Sequence, residues 1–126
     1  MKLHIGCKGT SPEGFKKVDL TQWGDVDYVR DARDLSCFQE GEIEEIYASH
    51  ILEHFTWRDT EKVLGEWFRV LKQGGILWLS VPDLDAWIDL YLKCGKIYGQ
   101  FLRELVHGGQ NYAGNIHLES FNFRSL

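Results

Sequence analysis

The chain has 126 residues, 44% of them hydrophobic and 26% charged, and a formal net charge of −5. That is enough chain for one domain, 1–126, with a core of its own, and an acidic balance without a basic stripe excludes a general nucleic-acid binder. No apolar run approaches the ~20 residues that cross a bilayer, and Met1-Lys2-Leu3-His4-Ile5-Gly6 turns polar too quickly for a signal peptide, so neither membrane nor export is expected.

In chain order, Leu3 and Ile5 followed by Gly6 predict a short buried strand that ends in a loop, Cys7 to Gly14, rich in turn residues. Phe15 to Leu20 reads as a second strand closing at Asp19, and Val26 to Arg30 as a short third strand ending before Asp31. A connection from Leu35 to Gly41 leads to a fourth strand at about Glu44 to Ser49. There Ile46 and Ala48 alternate with Glu45, Tyr47 and Ser49, the period of a half-buried strand. Ile51, Leu52 and Phe55 then fall at helical spacing, so this strand is expected to turn directly into a helix. A further helix is signalled from Arg58 or Asp59 to Leu71, with Val63, Leu64, Trp67, Phe68 and Leu71 on one face and Gly74-Gly75 as its stop. Ile76 to Val81 is an almost unbroken apolar run that predicts a strand buried on both faces, and Pro82 ends it. Asp83 to Leu92 and Tyr98 to Val106 read as helices broken around Gly95. The tail from His107 to Leu126, rich in Gly and Asn, has no clear period.

Strands that alternate with helices and long connections imply an α/β fold with a mainly parallel sheet. The first two strands are the exception: about ten residues join them, too few for a helix, so a loop must make that crossover. Open α/β sheets bind ligands outside the carboxyl ends of their strands, which puts Ser49, His50, Glu53 and His54 at a site. Cys7, Cys37 and Cys94 lack CxxC spacing, which points to a reducing, cytoplasmic compartment with neither a disulfide framework nor a structural zinc.

His50-Ile51-Leu52-Glu53-His54 also spells HxxEH, an inverted zinc-protease pattern in which two histidines share a helix face and the glutamate is a base. Only three positions of that pattern are fixed. The strand just before it and the short chain favour a cofactor site instead, and no metal is expected. In the tail, His107, Tyr112, Asn115 and His117 occupy a glycine-rich loop, where a site competes with a plain polar surface. Trp23 and Trp57, lying in connections, are candidates to touch a ligand.

Taken together, the motifs resemble those of class I S-adenosylmethionine-dependent methyltransferases over residues 2 to about 92. Leu3-His4-Ile5-Gly6-Cys7-Lys8-Gly9 is similar to the first motif, a strand running into a Gly-Cys-Gly loop around the cofactor. Val18-Asp19-Leu20 resembles the second strand's end, and Arg30-Asp31-Ala32 the segment that meets adenine. Ala48-Ser49-His50-Ile51-Leu52-Glu53-His54 resembles the fourth-strand motif, and Arg69 to Leu77 the helix-to-fifth-strand turn.

The resemblance implies a Rossmann-like three-layer sandwich with a mainly parallel sheet of about five strands, ordered 3-2-1-4-5. It implies S-adenosylmethionine as cofactor, lined by Gly6, Cys7, Gly9, Asp19, Asp31, Ala32 and Ser49. One carboxylate can accept both ribose hydroxyls, the role that falls to Asp19, while Cys7 reads as a small packing residue under the loop and not as a nucleophile. His50, leaving the fourth strand, is the expected base, with His117 as its partner, acting on the hydroxyl of a small molecule such as a sugar.

Two departures bear on function. Lys8 stands where the family has a second glycine, and the chain ends at Leu126 without the two further strands that flank the family's fifth strand. A homodimer covering that apolar edge is expected, and a non-catalytic binding or assembly module is the alternative function. A nicotinamide-binding domain fits less well, because the loop lacks GxGxxG and Asp19 follows Gly6 too soon.

Overall fold

Alternation along the strands decides which face of the sheet is apolar. The computed structural model describes residues 1–94, 99–112, 114–122 and 125; the break expected at Gly95 and the helix start expected at Tyr98 lie outside them. Strands β1 (Lys2–Ile5), β2 (Phe15–Asp19), β3 (Tyr28–Val29), β4 (Ile43–Ser49) and β5 (Leu71–Ser80) are followed by helices α2 (Leu84–Cys94) and α3 (Gly99–His107), with α1 (Trp57–Val70) between β4 and β5. The five strands form one sheet in the order β3-β2-β1-β4-β5, and every pair is parallel, a Rossmann-like α/β architecture.

In register, Leu3 lies opposite Ile46 and Ile46 opposite Leu77, while Ile5, Ala48 and Leu79 form the next row. These side chains point to one face and meet Val63, Trp67 and Val70 of α1 to make the core. The rows between them point the other way: Lys2, Glu45 and Ile76, then His4, Tyr47 and Trp78. That second face is aromatic and charged. Lys2 pairs with Glu45 at 2.6 Å, the Trp78 indole donates to the same carboxylate at 3.3 Å, and His4 meets the Tyr47 ring edge-on at 4.9 Å.

Helix α1 does more than cover the core. The indole of buried Trp67 donates to the Ala32 carbonyl at 2.8 Å. Glu66 accepts the Leu35 N–H at 3.0 Å, and Arg69 donates to the carbonyls of Leu35 and Phe38. Backbone groups that no strand satisfies are thereby paired, and the segment after β3 is held against α1 from Ala32 to Phe38.

Four expectations need correction. His50 to Phe55 is not the start of a helix: Leu52–His54 form a single 3₁₀ turn, and Phe55 is extended. In an α-helix the Glu53 carbonyl would accept the N–H of Trp57; here it accepts those of Leu118 and Glu119 at 2.7 and 3.1 Å, so the tail ends the helix. The fifth strand is apolar but not buried on both faces, since Ile76 and Trp78 are 46% and 54% exposed. It also begins at Leu71, with an irregularity opposite Ile43–Glu45. Gly74-Gly75 therefore lie within that strand and do not stop the helix: a Cβ at Gly75 would come within 3.1 Å of the Glu44 carbonyl oxygen. Finally, Phe68 leaves the apolar face of α1 and is 78% exposed.

His4 carries a pH dependence. Burial lowers its imidazole pKa, with the Thr10 backbone and the Asp19 charge opposing the shift. The unfolded chain then takes up the proton more readily, so stability is highest with His4 neutral and falls as pH drops below the ordinary value of ~6.5. Comparing urea midpoints of the wild type and His4→Phe between about pH 7 and 5 should show a shallower fall in the variant; parallel curves would rule His4 out as the cause.

Candidate active site

The end of β1 must turn sharply, and glycine lets it. Gly6 has φ of +74°, and a Cβ added there would meet the Ile51 side chain at 3.1 Å. Gly9, at φ +78°, packs against the Trp23 backbone. Between them Lys8 holds a left-handed φ of +45°, a conformation that costs a non-glycine residue about 1–2 kcal/mol. Its backbone N–H donates to Asp19 Oδ2 at 2.9 Å, while Asp19 Oδ1 accepts the Thr21 N–H at 3.0 Å. Asp19 thus ties the ends of β1 and β2 together and keeps lone pairs for other donors, since a carboxylate offers about four acceptor positions.

These groups open onto a cleft of about 530 Å³ at the carboxyl ends of the strands, within the ~300–1,000 Å³ typical of small-molecule sites. Gly6, Lys8, Asp19, Asp31, Ala32 and His50 all line it. Asp31 is held by Arg33, whose guanidinium reaches both carboxylate oxygens at 2.6–3.1 Å and keeps the Asp31 pKa below the usual carboxylate range. At the rim, the Lys8 ammonium lies 5.1 Å from the centre of the Tyr112 ring, and Trp23 meets that ring edge-on.

Cys7, Gly9, Ser49 and His117, also expected at the site, are not among the residues that line this cleft. Cys7 is buried under the loop, where desolvation raises its thiol pKa, consistent with packing. Ser49 closes β4 opposite Ser80. His50, also left-handed at φ +53°, is largely exposed, and its Nδ1 lies 3.2 Å from Glu53 Oε1. His117 lies behind, its Nε2 3.9 Å from the same oxygen. Trp23 lines the cleft, whereas Trp57 is exposed and stacks under Arg58 at 4.7 Å.

Residues that sequence reasoning did not place there complete the wall: Arg33, Thr56, Asp59 and Leu118. For Thr56 and Asp59 a signal existed, because a Thr-x-x-Asp spacing opens α1 and the Thr56 hydroxyl donates to Asp59 at 2.7 Å. A second groove, between Gly41, Phe68 and Gly74, lies where β5 begins, away from the strands' carboxyl ends.

A parallel sheet with a glycine turn after β1, an acidic end to β2 and a cleft across both is the architecture of the open Rossmann-like α/β class, in which ligands sit at the carboxyl ends of the strands. A family model described as a methyltransferase domain matches residues 10–79, more than half of the chain. The chain belongs to that family, the class I S-adenosylmethionine-dependent methyltransferase domains. The match spans Asp19, Asp31 and His50; the Gly6–Gly9 loop lies just before it and His117 beyond it. No curated protein matches the chain significantly.

Asp19 anchors two backbone amides, a structural role that the sequence reading did not give it. Asp19→Ala is expected to lower unfolding free energy by about 1–3 kcal/mol in urea titrations. An unchanged midpoint would contradict the anchoring role.

Proposed function

We propose that this chain is an S-adenosylmethionine-dependent methyltransferase whose acceptor is a hydroxyl of a small molecule, with sugars among the candidates. The observation that carries the reading is the meeting of Gly6, Asp19, Asp31, Ala32 and His50 in one cleft at the carboxyl ends of the strands. Gly6, Cys7 and Gly9 shape the turn that admits the cofactor. Asp19 accepts the ribose hydroxyls with the lone pairs its amide partners leave, and Asp31 with Ala32 bounds the adenine end. Ser49 flanks the methionine end. The turn fits such a ligand, because a side chain at Gly6 would close the space against Ile51.

When bound, the cofactor supplies a methyl group on a positively charged sulfur. The chain's own part is to hold the acceptor in line and to take its proton. His50 is the proposed base: Glu53 engages its Nδ1, which leaves Nε2 for the acceptor hydroxyl. His117, on the far side of Glu53, positions that carboxylate.

One observation favours the second reading, a non-catalytic binding module. Lys8 replaces a glycine and its ammonium lies over Tyr112 at the cleft rim. Calorimetric titration with S-adenosylmethionine and its demethylated product separates the two. The methyltransferase reading expects micromolar binding that Asp19→Ala weakens roughly ten- to a hundredfold. It also expects His50→Asn to keep that affinity while turnover is lost. No binding at high micromolar ligand would leave the module reading.

The reading places the protein in the cytoplasm as a homodimer formed over β5, whose outer edge carries no further strand among the described residues and whose Ile76 and Trp78 are exposed. Sedimentation over a hundredfold range of concentration should show a dimer; a monomer throughout would remove the dimer and leave the cleft reading intact.

A further inference from the structure

Glu53 is 1% exposed, and among the described residues its Oε2 has no hydrogen-bond partner. Among the described residues no lysine or arginine pairs with it; His50 Nδ1 and His117 Nε2 lie 3.2 and 3.9 Å from its Oε1. A buried carboxylate oxygen without a partner is costly and calls for a cation or an ordered water. Its surroundings favour a cation. Ligand atoms of Glu53, His54 and His117 all lie within 4.8 Å of one another, and the rings of His54 and His117 cross at 73° with centroids 5.1 Å apart.

The tautomer of His54 is set for ligation. Its Nδ1 lies 2.9 Å from the Ile116 carbonyl oxygen. A carbonyl only accepts, so Nδ1 carries the proton and Nε2 keeps its lone pair. Metal-binding histidines are held in this way, one ring nitrogen on a backbone carbonyl and the other on the ion. The same tail segment is fastened at both ends: Leu118 and Glu119 donate to the Glu53 carbonyl, and His117 donates its N–H to the His107 carbonyl at 3.1 Å. Gly108, at φ +74°, allows that approach, since a Cβ there would lie 2.5 Å from the Asn115 carbonyl oxygen. Both histidines and the carboxylate are therefore presented by braced backbone.

We infer that Glu53, His54 and His117 form a binding site for a divalent first-row transition cation, with zinc the fitting representative, at the acceptor side of the cleft. Two imidazoles and one carboxylate suit zinc and its neighbours, whereas magnesium and calcium prefer oxygen-only cages. Around a tetrahedral zinc with bonds of ~2.0–2.1 Å the ligand atoms stand about 3.3 Å apart, so modest side-chain rotations close the site. Three protein ligands leave a coordination position open. His50 and His54 line the cleft, so that position is available to an oxygen of the acceptor. Only this last role rests on the methyltransferase reading; the binding does not.

The test uses the whole protein, stripped of metal by a chelator and titrated calorimetrically with zinc alone. One tight zinc per chain is expected. His54→Ala and His117→Ala should each weaken it by more than about 100-fold, beyond the ~10–100-fold that loss of a supporting group costs. A double variant, Cys37→Ser with Cys94→Ser, should keep it, because those exposed thiols are not ligands. Should a histidine variant fail to fold, cobalt(II) added to the wild type reports directly: visible bands of a four- or five-coordinate ion without thiolate charge transfer support the site. A weak six-coordinate or thiolate spectrum overturns it, as does absence of zinc binding or tight zinc retained by folded histidine variants. The cofactor is titrated in the same preparation. If the demethylated product binds but zinc does not, the metal site alone is removed; if zinc binds but the product does not, the methyltransferase reading alone is removed.

Discussion

The in-register parallel pairing of β1 with both of its neighbours is the constraint on which the cleft depends. Ile5 stands opposite Val18 on one side and Ala48 on the other, and Ala48 stands opposite Leu79. These strands therefore run out at one level, and Gly6, Asp19 and His50 emerge side by side. A slip of one residue would turn Leu3 and Ile5 to the charged face and move Asp19 by about 3.3 Å, out of reach of the Lys8 amide. Burial enforces the register, because Leu3, Ile5, Ile46 and Ala48 all need the face that α1 covers.

Two polar anchors then convert a level sheet end into a shaped site. Asp19 binds the turn after β1 through the Lys8 amide, and Trp67 holds Ala32 from the helix side. Neither interaction requires a ligand, so the part of the cleft around Gly6, Asp19 and Ala32 is held by the chain's own contacts. The other half depends on Glu53, where two segments more than sixty residues apart meet: the 3₁₀ turn offers its carbonyl and the tail supplies the donors. The cleft is thus braced by side-chain-to-backbone hydrogen bonds on one side and, beside the histidines, by backbone hydrogen bonds on the other.

Much of this was legible in the residues. Period-two alternation located β4, the apolar spacing of Val63 and Trp67 located α1, and the glycine and aspartate positions located the turn and the acidic strand end, since each signal reflects local backbone geometry. What could not be read depended on contacts distant in sequence. The helix expected after His50 gives way to a single turn because Leu118 and Glu119 take the Glu53 carbonyl. The apolar run from Ile76 to Val81 announces a strand, but composition does not say which faces a strand will have covered, and Ile76 and Trp78 stay exposed. The structural half of Asp19's role was hidden for the same reason, as its amide partner at Lys8 lies across the sheet end. HxxEH was visible as a pattern, yet on a helix it would align His50 with His54, whereas the structure sets His54 beside His117.

Backbone amide NMR of the labelled protein, recorded with and without the demethylated cofactor product, reports where a ligand sits. Shifts are expected to concentrate at Gly6 to Gly9, Asp19 to Thr21, Asp31 to Arg33 and His50, with Trp23 and Tyr112 following at the rim. Shifts confined to the groove at Gly41, Phe68 and Gly74, or no saturable shifts at all, would contradict that expectation.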